Sequence, residues 1–216
     1  MKKYLLAVLA LGATMMMACE PANNQGNDEQ EVTPDYVLDN TTCAQVMATL
    51  DNHGDAFEVG NNLYQLMIIG MSADENEMMA IGLMYNTPAT EMNGCGVLTP
   101  DTLTEEGIYS FAANTYMPGV FSDPEDPSYV EGSVFNYMKF EPEVDLLYPI
   151  VSGTITVTYN EETQENTFSG LVTLHDGKVL KFEHTGVVGG GIGGLKHSLA
   201  AEKMSRAFSA ALKLKK

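Results

Sequence analysis

The chain has no tryptophan, only three cysteines and four histidines, and no lysine or arginine anywhere between Glu20 and Met138. The missing cations exclude most. With 11 basic against 29 acidic residues overall, the body repels a phosphate backbone, so no nucleic-acid partner is expected. No GxSxG elbow, HExxH helix or EF-hand loop is present, which removes the commonest signatures of hydrolase, zinc and calcium chemistry. The histidines His53, His175, His184 and His197 are scattered and read as surface or packed residues rather than ligands. No apolar run reaches the roughly 20 residues needed to span a bilayer as a helix.

What is present begins with an address. Lys2 and Lys3 precede an apolar run from Tyr4 to Leu11, and Met16-Met17-Ala18 leads into Cys19. This is the layout of a bacterial secretory signal, and Met16 to Cys19 resemble a lipoprotein lipobox. The resemblance implies acylation of Cys19 and removal of residues 1–18. Loss of Lys2 and Lys3 with that leader would take the formal charge from −18 to −20. Residues 19–34 (Glu20 to Pro34 read EPANNQGNDEQEVTP) lack large apolar side chains and are expected to form a disordered tether with a reach of about 20 Å. The acidic Asp28-Glu29-Gln30-Glu31 resembles the stretch found in lipoproteins displayed on Bacteroidetes-type cells. An outer-membrane anchor with cell-surface display is the localisation this implies.

With Cys19 assigned to lipid, Cys43 and Cys95 remain as an even pair. In an exported protein they are expected to form a disulfide. A zinc site lacks a third and fourth ligand at a recognisable spacing, and no cofactor is expected.

Residues 35–188 read as one mainly β domain, long enough for a single core. Asn62–Met71 and Met78–Tyr85 are apolar runs around a polar SADENE turn, a hairpin. Further strands are expected at Gly107–Asn114, Phe135–Phe140 and Ile150–Tyr159, the last with Ile155, Val157 and Tyr159 alternating against threonines. LVTLHDGKVLKFEH carries the clearest turn, Asp176-Gly177, with apolar residues on both faces of its strands, as though both were covered. A short helix is expected around Cys43–Asp51, capped by Thr41 or Thr42. Residues 189–194, GGGIGG, read as a hinge; the match of Gly189, Gly191 and Gly194 to GxGxxG lacks the βαβ setting of a dinucleotide site. Residues 195–216 read as a basic amphipathic helix: Ala201, Met204, Phe208, Ala211 and Leu212 form one stripe. Lys196, Lys203, Arg206, Lys213, Lys215 and Lys216 are the segment's cations.

Chemical candidates are thin. Asp74-Glu75-Glu77, Glu105-Glu106 and Asp123-Glu125-Asp126 are the carboxylate clusters, and Asp123, Glu125 and Asp126 in SDPEDPSY are weak calcium candidates. Met67, Met71, Met78, Met79 and Met84 group in the first hairpin and read as core rather than as copper ligands. Asp101-Thr102-Leu103 resembles the O-glycan acceptor of Bacteroidetes exported proteins, which makes Thr102 a glycosylation candidate.

LYQLMIIG with AIGLMYN, IVSGTITVTYN and LHDGKVLKFEHTG together resemble small Bacteroidetes-type envelope lipoproteins of unknown function, over about Asn62 to Gly186. The resemblance implies an all-β fold, an antiparallel sandwich or flattened barrel, and transfers no active site. The expectation is therefore a lipid-anchored binding or interaction protein with no catalytic residues, membrane-bound through its lipid and recognising a glycan or protein. Tyr109, Tyr116, Phe121 or Tyr129 would supply exposed aromatics. The alternatives are a glycan-directed hydrolase using a carboxylate pair and a calycin-like binder of a small ligand.

Overall fold

The computed structural model describes residues 32–189, apart from 105, 106, 108 and 124. The expected leader, the tether as far as residue 31 and the C-terminal helix lie outside these residues, as does Cys19. The strands are β1 (Tyr36–Leu38), β2 (Gln45–Asn52), β3 (Asn61–Met71), β4 (Glu77–Pro88), β5 (Gly96–Pro100), β6 (Thr115–Tyr116), β7 (Val120–Asp123), β8 (Asp126–Glu131), β9 (Val134–Lys139), β10 (Val144–Asn160), β11 (Glu165–Leu174) and β12 (Val179–Gly186). A 3₁₀ turn, Met92–Gly94, follows β4. The protein is mainly β.

Its centre is a closed barrel of five strands in which β4 pairs β9, β9 pairs β10, β10 pairs β5, β5 pairs β6, and β6 returns to β4. From β4 the sheet extends through β3 to β2, and from β10 through β11 and β12 to β1. One strand makes closure possible. β10 runs 17 residues; its first part pairs β9 and its second pairs β5 and β11. The register shift between Ile150 and Ser152 bends it, and Gly153 at φ 114° passes so close to β11 that a Cβ would lie 2.3 Å from the Leu171 carbonyl oxygen.

Inside, Leu66, Ile68, Ile81, Leu83, Leu98, Tyr116, Phe135, Ile155, Phe168 and Leu180 are all fully buried. The β3–β4 hairpin is buried on its other face as well. There Leu63, Met67, Ile69, Met78, Met84, Met117 and Met138 form a second core with Val130 of β8 and Val134. This explains why both strands are almost continuously apolar. The five hairpin methionines fall in or against packed cores, as expected: Met67, Met78 and Met84 are buried, and Met71 and Met79 pack beside them.

Several expectations change. The helix around Cys43–Asp51 is instead β2. Val46, Ala48 and Leu50 alternate along a strand whose Ala48 and Leu50 pair Ile68 and Leu66, and Asp39, not a threonine, caps the preceding turn by accepting the Thr41 and Thr42 amides. Gly107–Asn114 is not a strand. Buried Asp101 holds that stretch as a loop, accepting from the Ser110 hydroxyl and the Phe111 amide. The β11–β12 hairpin does not bury both faces. Val172 pairs Leu180 and Gly170 pairs Phe182, which sends Val172, Leu174, Leu180 and Phe182 inward together, while Leu171, opposite Lys181, is 43% exposed. Its turn also has one residue more than a two-residue loop: Gly177 donates to Leu174, Leu174 donates to Lys178, and Gly177 at φ 85° forms the bulge.

Candidate functional site

The two ends of the barrel differ in chemistry. At one end, register stacks Ile81, Phe135 and Tyr148 in a row, with Met79, Tyr137 and Leu146 in the next. The short parallel β1 brings Tyr36 over this row. Its ring centroid lies 4.9 Å from Phe135, 5.6 Å from Tyr137 and 6.1 Å from Tyr148. Phe135 is fully buried and forms the floor, whereas the three tyrosines are half-buried. The bulged hairpin swings Lys178 across them. Its Nζ donates to Asp176 and, at 3.1 Å, to the Tyr148 hydroxyl, and it sits 4.9 Å from the Tyr148 ring centroid and 6.0 Å from that of Tyr36. Lys139 pairs with Glu77 at 3.0 Å nearby.

The electrostatics follow from these contacts. The Asp176 carboxylate first, and Tyr148 second, hold the Lys178 ammonium above its ordinary pKa. Desolvation, then the Tyr148 hydrogen bond, pushes the Tyr36 phenol up. Desolvation, then the Glu77 charge, does the same to Tyr137. The Tyr36 and Tyr137 phenols are therefore neutral donors and acceptors around a fixed cation at neutral pH. Such a site can hold an amphipathic ligand.

The opposite end comprises the loops at 53–60, 89–95, 161–164 and 187–189. Its carboxylates are Asp51, Asp55, Glu58, Glu91, Glu161, Glu162 and Glu165. Among the described residues Lys139, Lys178 and Lys181 are the only Lys or Arg, and none is in these loops. Asp55 folds the first loop by accepting the Val59 and Gly60 amides, both at 2.8 Å. Three large apolar residues stand exposed here: Val59 at 47%, Met92 at 52% and Val187 at 70%. Beneath, the buried Tyr85 hydroxyl, Thr87 Oγ1 and His184 Nδ1 have no hydrogen-bond partner among the described residues.

A third feature is a groove of about 630 Å³ on the outer face of β10, β11 and β12, edged by Val32 and Pro34 and floored by Thr156, Leu171, Lys181 and Glu183. It is open and brings no cluster of reactive groups together.

The residues singled out in the sequence land elsewhere. Cys43 and Cys95 are not joined in the expected disulfide. Cys43 Sγ lies against Gly70, whereas Gly94, next to Cys95, abuts Tyr85 and Tyr64. Gly70 and Tyr64 are six residues apart on β3, about 20 Å, far beyond the roughly 7 Å that a disulfide tolerates between Cα atoms. Asp123 and Glu125 occupy the β7–β8 turn, where Asp123 caps the Glu125 amide at 2.9 Å. No group of three or more His, Cys, Asp or Glu that could hold a metal ion occurs among the described residues. Asp74 likewise serves its turn, accepting from Ser72 and Asn76. Thr102 is exposed, as its loop suggested. Tyr116 is fully buried, and Tyr109 and Phe121 pack on the second core. His53 pairs with Gln65 and His175 packs edge-on against Phe121. The interior that a small-ligand barrel would leave empty is filled by Tyr116, Phe135 and their neighbours.

Tyr36, Tyr137, Tyr148 and Lys178 were not foreseen. No local pattern marks them, because they come from four separate segments that only the register unites. No protein-family model matches the chain, and neither does any curated protein or solved structure.

Proposed function

We propose that the chain is an exported, lipid-anchored cell-envelope protein that binds a glycan or protein partner through its tyrosine-ringed barrel end. The observation that carries the reading is the grouping of Tyr36, Tyr137 and Tyr148 around Lys178, half-buried on a rigid Phe135 floor. Tyrosine offers contact area, a polar tip and little rotamer entropy to lose, which is why it concentrates in binding hot spots. The leader, Cys19 and the polar tether support the anchor and the outer-membrane location.

The test uses the soluble mature domain on panels of glycans and envelope proteins, with Tyr36→Ala and Tyr148→Ala beside Tyr129→Ala. A ligand whose affinity falls tenfold or more in the first two variants, and stays constant in the third, supports the site. Equal binding by all three ends it. Protease treatment of intact cells, with Cys19→Ala as control, tests the anchor separately: cleavage of the anchored form alone places the domain outside.

A further inference from the structure

We infer that the basic segment 195–216 docks in cis on the opposite, acidic end of the barrel, over Val59, Met92 and Val187. The path of the chain points there. Gly189 pairs in parallel with β2, its amide donating to Ala48 and its carbonyl accepting from Leu50, both at 3.3 Å. β2 runs from Gln45, opposite Met71, to Asn52, opposite Tyr64, so the chain leaves the described residues heading toward the acidic loops. Residues 190–194 are glycines around one isoleucine. Five residues reach about 17 Å when extended, more than the roughly 10 Å between packed sheets.

Charge selects the same end. Lys196, Lys203, Arg206, Lys213, Lys215 and Lys216 meet the carboxylates of Asp55, Glu58, Glu91, Glu161, Glu162 and Glu165, among which no described Lys or Arg competes. At the tyrosine-ringed end Lys139 and Lys178 offset part of the charge of Asp74, Glu75, Glu77, Glu141, Glu143, Asp145 and Asp176, so it is the poorer acceptor. Apolar surface matches as well. Ala201, Met204, Phe208 and Ala211 recur at helical spacing, and Val59, Met92 and Val187 are the exposed apolar residues of that end. Docking covers both sets at once and leaves the tyrosine cluster free.

Hydrogen exchange on the full mature chain, compared with a chain ending at Gly194, tests this. In the full chain, amides of 56–60 and 91–95 exchange at least tenfold more slowly, independently of protein concentration. That protection disappears in the shortened chain and weakens in 0.5 M salt, while strand amides exchange alike in both. Glu58→Lys with Glu91→Lys removes it, and adding Lys203→Glu with Arg206→Glu restores part of it. Equal exchange in the two chains overturns the inference. Protection that appears only with dimers, by light scattering, overturns it in favour of a second copy. Protection that appears only with anionic phosphatidylglycerol vesicles overturns it in favour of a lipid surface.

Discussion

The two ends of this barrel are built from the same strands and both carry carboxylates, but only one adds lysines and an aromatic cluster. One collects three tyrosines and a lysine over a buried phenylalanine; the other collects carboxylates and exposed aliphatic side chains over buried polar atoms without a partner among the described residues. A closed barrel fixes the interior by register, whereas its ends are left to turns and loops, and there this chain differentiates. The tyrosine end is braced by aromatic packing. The acidic end is braced by tight backbone turns, with Gly94 wedged beneath Tyr85.

The strongest way to break the contrast is to remove the floor. Phe135 is fully buried and touches both Tyr36 and Tyr148. Phe135→Ala is expected to destabilise the fold by about 3–5 kcal/mol, read as a lower midpoint in denaturant at an unchanged slope. The tyrosine cluster should loosen with it, visible as faster amide exchange in β1. A loss below about 1 kcal/mol would mean that the cluster does not rest on this floor.

Two glycines sharpen the comparison because both lie at positive φ and their surroundings differ. Gly177, at φ 85°, has nothing within 4 Å of a built Cβ. Gly177→Ala should therefore cost only the left-handed penalty, about 1–2 kcal/mol. Gly94, at φ 71°, would place a Cβ 2.7 Å from the Tyr85 hydroxyl oxygen and 3.2 Å from the Tyr64 ring. Gly94→Ala should cost that penalty plus the displacement of two stacked rings whose centroids lie 5.4 Å apart. Thermal melts of the two variants decide the point, and equal losses would show that the acidic end yields more readily than its packing implies.

How much of this was legible in the sequence follows from the range of the interactions. The β3–β4 and β11–β12 hairpins could be read because apolar period and turn residues act within a few positions: SADENE and Asp176-Gly177 mark the reversals. The second core could not, since nothing local says that Val130 and Met117 return to cover Met67 and Met84. β2 was misread because Val46, Ala48 and Leu50 are few enough to suit either a helix face or a strand, and pairing with β3 decided it. An even cysteine count suggests a bond between two residues that the register places about 20 Å apart. The tyrosine site draws on positions 36, 137, 148 and 178, and only the assembled topology brings those together.

The smallest effect concerns His184, inside the barrel toward the acidic end, opposite Phe168. It is 7% exposed, its Nδ1 has no partner among the described residues, and desolvation lowers its pKa below the ordinary 6.5. The folded state therefore favours the neutral ring. Above about pH 6.5 both states hold it neutral and there is no difference. As pH falls below that value the unfolded chain takes up the proton first, so stability declines until the folded ring also titrates. The carboxylates held low by hydrogen bonds behave otherwise: desolvation opposes the shift at Asp39 and Asp176, yet bonds to Thr41 and to Lys178 outweigh it, and Ser72 lowers Asp74. Their stabilisation is complete above the unfolded value of 3.8 and is lost only as pH falls below it. The two windows are separate. Denaturant midpoints between pH 7 and 5 should fall in the native chain and stay flatter in His184→Gln, while Tyr148→Phe, at the other end, should keep the native slope. If His184→Gln falls just as steeply, the acid sensitivity of this interval arises elsewhere, and the buried histidine is not what separates the two ends on mild acidification.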